Sequence, residues 1–153
     1  MGNEERTFVA LKPDAVKRGL MGEILKRFEI KGYKIIALKM MNVSLERAQK
    51  HYAEHEGKPF YQGLINYITS GPIVAMVLEG PNVVVGARHL MGATNPDNAD
   101  VGSIRADFAA AMEYNSVHGS DSIESAKREI ANFFDESEFC TNWKTSFEIL
   151  TGL

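Results

Sequence analysis

The stretch Phe8-Val9-Ala10-Leu11, an unbroken apolar run cut off by Lys12-Pro13, constrains the fold more than any other feature. A continuous apolar run this short, ended by a proline that cannot donate to a sheet ladder, reads as a buried strand. Its C-terminal end delivers a lysine into a turn. A second run, Ile73-Val74-Ala75-Met76-Val77-Leu78, follows Ser70-Gly71-Pro72 and reads as another strand. It is the longest apolar run and falls far short of the roughly 20 residues that cross a bilayer.

Between these runs, Met21, Ile24, Leu25 and Phe28 repeat at helical spacing, and Lys31-Gly32 closes that helix. Residues 33–43, with Ile35, Ile36 and Leu38, read as a strand. Ser44 is a good N-cap for the next helix. Arg47 stands where a capping box wants Glu or Gln, but Leu45, Ala48 and Tyr52 share a face. Tyr61, Leu64, Ile65 and Ile68 form another helical stripe. After Gly80-Pro81-Asn82, the run Val83-Val84-Val85 suits either a strand or a helix, and a helix through Met91 is favoured. From residue 92 to 115, Gly92, Asn95, Pro96, Asn98 and Gly102 break every period, and structureless loops this long are uncommon unless functional or disordered. A short strand at Val117 follows. The order predicts an α+β fold: a ferredoxin-like βαββαβ sandwich with an antiparallel four-stranded sheet, helices packed on it, and a long loop inserted before the last strand. The 153 residues suit one domain with one core, without repeats or linkers.

Lys and Arg number 17 against 20 Asp and Glu, a formal charge of −3 that predicts neither a nucleic-acid binder nor a protein held on an anionic membrane. Any anionic ligand needs cations gathered locally from distant parts of the chain. The single cysteine, Cys140, excludes an intrachain disulfide and a cysteine metal cluster, which suits a reducing, cytoplasmic setting. The N-terminal residues 1–6 are polar, without a signal-peptide apolar stretch.

The chemistry concentrates in residues 115–122, Asn-Ser-Val-His-Gly-Ser-Asp-Ser, where one imidazole, His118, lies between a short extended run and a helix start. Asp121 reads as the N-cap, with Glu124 three positions on. The helix is amphipathic through Ile123, Ala126, Ile130, Phe133 and Phe134. Ser122, Ser125 and Glu129 share its polar stripe, so a carboxylate travels on the element that begins beside the histidine. A lone turn histidine is usually only a solvated side chain; the rest of the chain argues for more. Lys12, Arg88 and Arg105 each sit near a structural break. With Thr94, Asn115 and His118 they make up the set that in-line phosphoryl transfer requires: positive charge for phosphate oxygens, polar groups for a sugar, and a nucleophile.

Familiar phosphate motifs are missing. Gly57-Lys58-Pro59 cannot complete a P-loop, and no Gly-x-Gly occurs. A rival pattern is His51-Tyr52-Ala53-Glu54-His55, the H-x-x-E-H of inverted zinc peptidases, in which His51 and His55 would share a helix face around Zn²⁺ with Glu54 between them. Gly57-Lys58-Pro59 cuts that helix just after His55, and an ordinary amphipathic helix is the simpler account.

Taken together, the motifs resemble those of the nucleoside diphosphate kinase family over nearly the whole chain. The resemblance rests on Lys12-Pro13-Asp14, Arg18-Gly19-Leu20, Gly22-Glu23-Ile24, Arg27-Phe28-Glu29 and Lys31-Gly32. It continues through Tyr52, Pro59-Phe60, Gly63-Leu64, Ser70-Gly71-Pro72, Gly92-Ala93-Thr94-Asn95-Pro96, Arg105-Ala106-Asp107-Phe108 and residues 115–122. It implies one such domain over residues 1–153 and ping-pong transfer of the γ-phosphate from a nucleoside triphosphate, typically ATP, to a nucleoside diphosphate. His118 would be phosphorylated on Nδ1 while Glu129 holds the other ring nitrogen, and Tyr52 and Ser120 would support that pair. Lys12, Arg88, Arg105 and Thr94 would contact phosphates, and Lys12 with Asn115 the sugar. Phe60 would stack on the base beside Leu64 and Met112, giving broad base tolerance because every base has a π-face.

Mg²⁺ would arrive on the nucleotide, with no dedicated protein ligand set. The family also implies a homo-oligomer, a tetramer or hexamer built from dimers, for which the apolar tail from Cys140 is one contact. Met112 stands where smaller aliphatic residues are usual, and Tyr61 where a second Phe is common. A scaffold relative that binds nucleotide without transferring phosphate is the other reading. Against it, Lys12, Arg88, Thr94, Arg105, Asn115, His118 and Glu129 are all present.

Overall fold

The computed structural model describes residues 5–152; residues 1–4, part of the N-terminal stretch read above as polar, lie outside it. The first apolar run forms β1 (Arg6–Leu11) and the second forms β3 (Ile73–Glu79). They pair antiparallel, and β2 (Lys34–Met41) and β4 (Val117–Gly119) flank them in the order β2-β3-β1-β4. This is the expected four-stranded antiparallel sheet of the ferredoxin-like sandwich. The two runs are apolar throughout because both faces of the sheet are covered. Phe8, Ala10, Ala75 and Val77 point into one core with Ala48, Ile65 and Phe133, while Val9, Leu11, Val74, Met76 and Leu78 point into the other with Ile24, Phe28, Val83 and Ala87. Every residue of both runs is buried. Full burial of one such large side chain contributes about 1.5–3 kcal/mol, so interrupting either run would cost stability on both faces.

Eight α-helices among the described residues complete the two layers: α1 (Pro13–Lys17), α2 (Met21–Lys31), α3 (Leu45–His51), α4 (Tyr61–Ile68), α5 (Val83–Met91), α6 (Ile104–Phe108), α7 (Ile123–Phe133) and α8 (Ser146–Thr151). Gly32 closes α2 in the left-handed conformation, as its position after Lys31 predicts. Ser44 caps α3, its hydroxyl accepting from the Arg47 amide at 3.1 Å. The valine run after Asn82 is helical, as favoured. Three expectations need correction. The N-cap of α7 is Ser122, whose hydroxyl accepts from the Ser125 amide, and not Asp121 one residue earlier. Tyr52 follows α3 as its C-cap instead of lying within it. The stretch from residue 92 to 115 is not unbroken loop: α6 lies inside it, capped by Ser103, and Gly92 has φ 85°. A Cβ on Gly92 would stand 2.3 Å from Ser103 Oγ, so only glycine fits where this segment folds back on its own cap.

The tail turns back onto its own chain. The Cys140 amide donates to the Ile36 carbonyl, the buried Lys34 ammonium lies 3.6 Å from Glu148, and Phe147 packs over Gly32. Trp143, Phe147, Ile149 and Leu150 nevertheless remain substantially exposed. No helix among the described residues is long and apolar enough to cross a membrane.

Candidate active site

The end of β1 and the start of β4 are tied together: the Lys12 amide donates to the Ser116 carbonyl at 2.8 Å, and Ala10 lies opposite His118. Ser116 takes φ 72°, an unusual conformation for a residue with a side chain. Its hydroxyl donates to Asp14 Oδ2 at 2.8 Å, which anchors the strained turn to the N-terminus of α1. The turn presents Asn115 on one side and His118 on the other. A cavity of about 170 Å³ opens there, lined by Lys12, Tyr52, Arg88, Thr94, Arg105, Asn115, His118 and Glu129, among others. Residues drawn from six separate stretches of sequence therefore converge, which spacing alone could not show.

His118 Nε2 lies 2.9 Å from Glu129 Oε1, and the Ser120 hydroxyl donates to the same oxygen at 2.6 Å. Ser120 is itself anchored to β1: its hydroxyl oxygen accepts from the Phe8 amide at 3.3 Å, and its own amide donates to the Phe8 carbonyl at 3.1 Å. Burial alone would raise the Glu129 carboxyl. The hydrogen bond and charge of His118 and the Ser120 hydroxyl outweigh it, so the carboxyl sits below the ordinary carboxylate range. An ionised Glu129 only accepts, so the ring proton is on Nε2 and the lone pair on Nδ1. Nδ1 has no hydrogen bond within the protein among the described residues.

The cations are held with equal definition. Lys12 donates to Asn115 Oδ1 at 2.9 Å, and the Asn115 amide donates onward to the Thr94 carbonyl at 3.1 Å. Burial, then repulsion from Arg105, pulls the Lys12 ammonium down to about 8, against the pull of Asp14. The Arg105 guanidinium donates to the carbonyls of Gly92, Asn115 and Val117, fastening the long segment to β4, and still has N–H groups to spare. Burial and the neighbouring Arg88 lower it to about 10. Arg88 donates to the Gly119 carbonyl at 3.0 Å. A Cβ on Gly119 would stand 2.6 Å from the Sδ of buried Met91, so a side chain there requires Met91 to shift.

Not every predicted site residue joins this cluster. Phe60 is 51% exposed just before α4, Met112 is 56% exposed, and Leu64 is partly buried against the core; none of the three lines the cavity. Phe60 packs instead near His55, ring centroids 5.4 Å apart. Tyr52 lines the cavity but packs on His51 at 4.6 Å, with no hydrogen bond to His118 or Glu129 among the described residues. Burial, with Glu129 nearby, raises its phenol.

His51 is the neighbour that sequence reasoning gave no place here. Its ring is buried 4.6 Å from that of His118, and burial with the His118 charge lowers its pKa to about 3. The zinc-peptidase geometry is absent. α3 stops at His51, and a separate 3₁₀ turn, Ala53–His55, carries the second histidine, so the two rings do not share a continuous helix face. His51 faces Phe8 and Phe133 in the core, while His55 stands partly exposed beside Lys58. Asp121, Glu54 and Gly119 also line the cavity; Asp121 is lowered by the Ser125 hydroxyl.

Comparison with known proteins adds the family. Residues 5–139 match the family model described as nucleoside diphosphate kinase. The chain is 60% identical over 134 residues to a nucleoside diphosphate kinase from Thermus thermophilus, covering 88% of this chain and 98% of that protein. It is 56% identical over 141 residues to one from Carboxydothermus hydrogenoformans, with 92% and 95% covered. Among solved structures, the Halobacterium salinarum nucleoside diphosphate kinase in complex with CDP superposes with a TM-score of 0.92 at 46% identity, covering 96% of this chain and 97% of that one. A nucleoside diphosphate kinase family protein from Babesia bovis gives 0.91 at 43% identity, with 95% and 98% covered. A buried carboxylate orienting an imidazole beside three converging cations, on this fold and with these relatives, shows that the chain belongs to the nucleoside diphosphate kinase family.

Proposed function

We propose that residues 1–153 form a single domain that moves the γ-phosphate of a nucleoside triphosphate to a nucleoside diphosphate through a phosphohistidine at His118. The observation that carries this is the 2.9 Å contact of His118 Nε2 with an ionised, Ser120-braced Glu129, which leaves the Nδ1 lone pair free at the cavity. In the first half-reaction that lone pair forms a bond to the γ-phosphorus. The bridging P–O bond breaks, and the diphosphate leaves with the electron pair. Positive charge growing on the ring is stabilised through Nε2–H by Glu129. The second half-reaction is the same step in reverse, with a different diphosphate.

Lys12, Arg88 and Arg105 supply positive charge for phosphate oxygens, with Thr94 beside them, and Lys12 with Asn115 reaches the sugar. The hydrogen-bonded series Lys12–Asn115–Thr94 supports this assignment by holding those groups at one wall. Phe60, exposed at the start of α4, offers a face for a base, with Leu64 and Met112 completing an apolar clamp. Such a clamp makes few demands on base identity. Tyr52 acts on the nucleophile indirectly, through its packing on His51.

The divalent ion fits as Mg²⁺ brought by the nucleotide. Glu129 is engaged by His118 and Ser120, and Asp121 by serine hydroxyls, so no oxygen cage stands ready. Exposed Glu54, which also lines the cavity, is the carboxylate available to the ion's waters. The bound ion would neutralise phosphate charge. Leu38 and Met40, exposed on edge strand β2, and the apolar tail support a homo-oligomer, a tetramer or hexamer built from dimers. The single free, exposed Cys140 suits the cytoplasm. Neither charge nor fold calls for a membrane or a specific nucleic acid.

Initial rates with ATP and GDP varied together test the reading. Parallel double-reciprocal lines are expected for a ping-pong enzyme, and intersecting lines would require direct transfer in a ternary complex.

A further inference from the structure

We propose that His51, His118 and Glu129 together form a binding site for a divalent transition metal, for which Zn²⁺ is the fitting probe, separate from the hard cation carried by a nucleotide. One nitrogen from each histidine and one Glu129 oxygen all lie within 4.8 Å of one another. His118 and Glu129 already stand 2.9 Å apart, and the two imidazole rings are 4.6 Å apart at 75°. Ligands on a tetrahedral zinc ion lie roughly 3.3 Å from one another, so modest side-chain rotation closes the widest edge.

A second observation points the same way. His51 Nδ1 is shielded from solvent and has no hydrogen-bond partner, although nearly all buried polar atoms in folded proteins have one. His51 also borders two clefts, the cavity holding His118 and a larger one between α3 and α7, so the ring is reachable without unfolding the core.

The donor set discriminates between metals. Two imidazoles and one carboxylate, with a further position open to the cavity, is a pattern that suits zinc, whereas Mg²⁺ prefers an octahedron of oxygens. Ser120, donating to Glu129, orients a ligand as outer-shell groups do in metal sites. A metal bound there occupies the nucleophile and its partner at once. Metal binding then competes with the contact by which Glu129 orients His118 for attack and slows phosphorylation, a consequence that rests on the phosphohistidine reading, whereas binding itself does not.

The test therefore reads binding. Nucleotide-free protein is titrated with Zn²⁺ by calorimetry and with Co²⁺ by visible spectroscopy. One ion per chain is expected, with the absorption of a low-coordinate cobalt site that persists in excess Mg²⁺. His51→Phe and the near-isosteric Glu129→Gln should each weaken binding at least about tenfold, while His55→Ala and His89→Ala leave it unchanged. Circular dichroism shows whether each variant is folded. Failure of Zn²⁺ to bind, binding unchanged in folded Glu129→Gln, or binding lost with His55 or His89 would overturn the assignment.

Discussion

Replacing Glu129 with glutamine keeps the side-chain shape and removes one buried charge, which makes it the sharpest probe of the site. In the native protein Glu129 receives His118 Nε2 at 2.9 Å and Ser120 at 2.6 Å, and it is 5% exposed, so water screens little of its effect. Opposite unit charges about 4 Å apart attract by about 4 kcal/mol at an effective dielectric of about 20. Only part of a charge develops on the ring during attack, and glutamine still offers an oxygen, so a loss of about 2–3 kcal/mol of transition-state stabilisation is expected. At about 1.4 kcal/mol per tenfold, the phosphorylation rate should fall about 30- to 140-fold. Glu129 acts on the nucleophile more than on the phosphates, so nucleotide affinity should change little. Rapid-quench measurement of a single half-reaction with ATP separates the two. A fall of less than about threefold in a folded variant, or a loss confined to affinity, would refute the argument that Glu129 polarises His118.

Other perturbations have equally definite outcomes. His51 titrates at about 3 in the fold against an ordinary 6.5, so the unfolded chain binds the extra proton between those values. Stability should therefore fall as pH drops from about 6.5 towards 3, and His51→Phe should flatten that limb of a urea-denaturation pH series. Lys12 is lowered to about 8, so the cost of its buried charge is fully present below that pH and is relieved as pH rises towards 10.5. Its phosphate-binding charge is lost over the same range, and kcat/KM in the free enzyme should decline above about pH 8, a limb absent from Lys12→Gln. Ser116→Ala leaves φ 72° strained and strips Asp14 Oδ2 of its partner, while Asp14 Oδ1 already has none. A thermal-melt loss of about 1–3 kcal/mol with raised KM should follow.

The fold was legible because its strands are apolar for a simple reason. Both faces of β1 and β3 are covered, so their sequences carry no polar alternation, and the capping signals at Ser44 and Gly32 place the neighbouring helices. The cap of α7 was misplaced by one residue because Asp121 and Ser122 are both good caps. Asp121 instead accepts from Ser122 and Ser125 hydroxyls. Helix α6 escaped notice because five residues are too few to display a period, and the surrounding Gly and Asn residues dominate the pattern. The cations were nameable from their positions beside breaks, but their convergence depends on Arg105 reaching the Gly92 carbonyl on one side and those of Asn115 and Val117 on the other, which no local pattern encodes. His51 was hidden for a different reason. Its five-residue motif suggested a helix face shared with His55, whereas the turn after α3 sends one ring into the core and the other outward.

The central claim is that His118 Nδ1 takes and gives a phosphoryl group. Incubation with γ-labelled ATP and Mg²⁺, followed by removal of nucleotide, should leave label on the protein that is acid-labile and alkali-stable. That label should be absent from His118→Ala and should pass to added GDP, CDP or UDP. A well-folded native protein that retains no label, or a His118→Ala variant that retains it, would contradict the account.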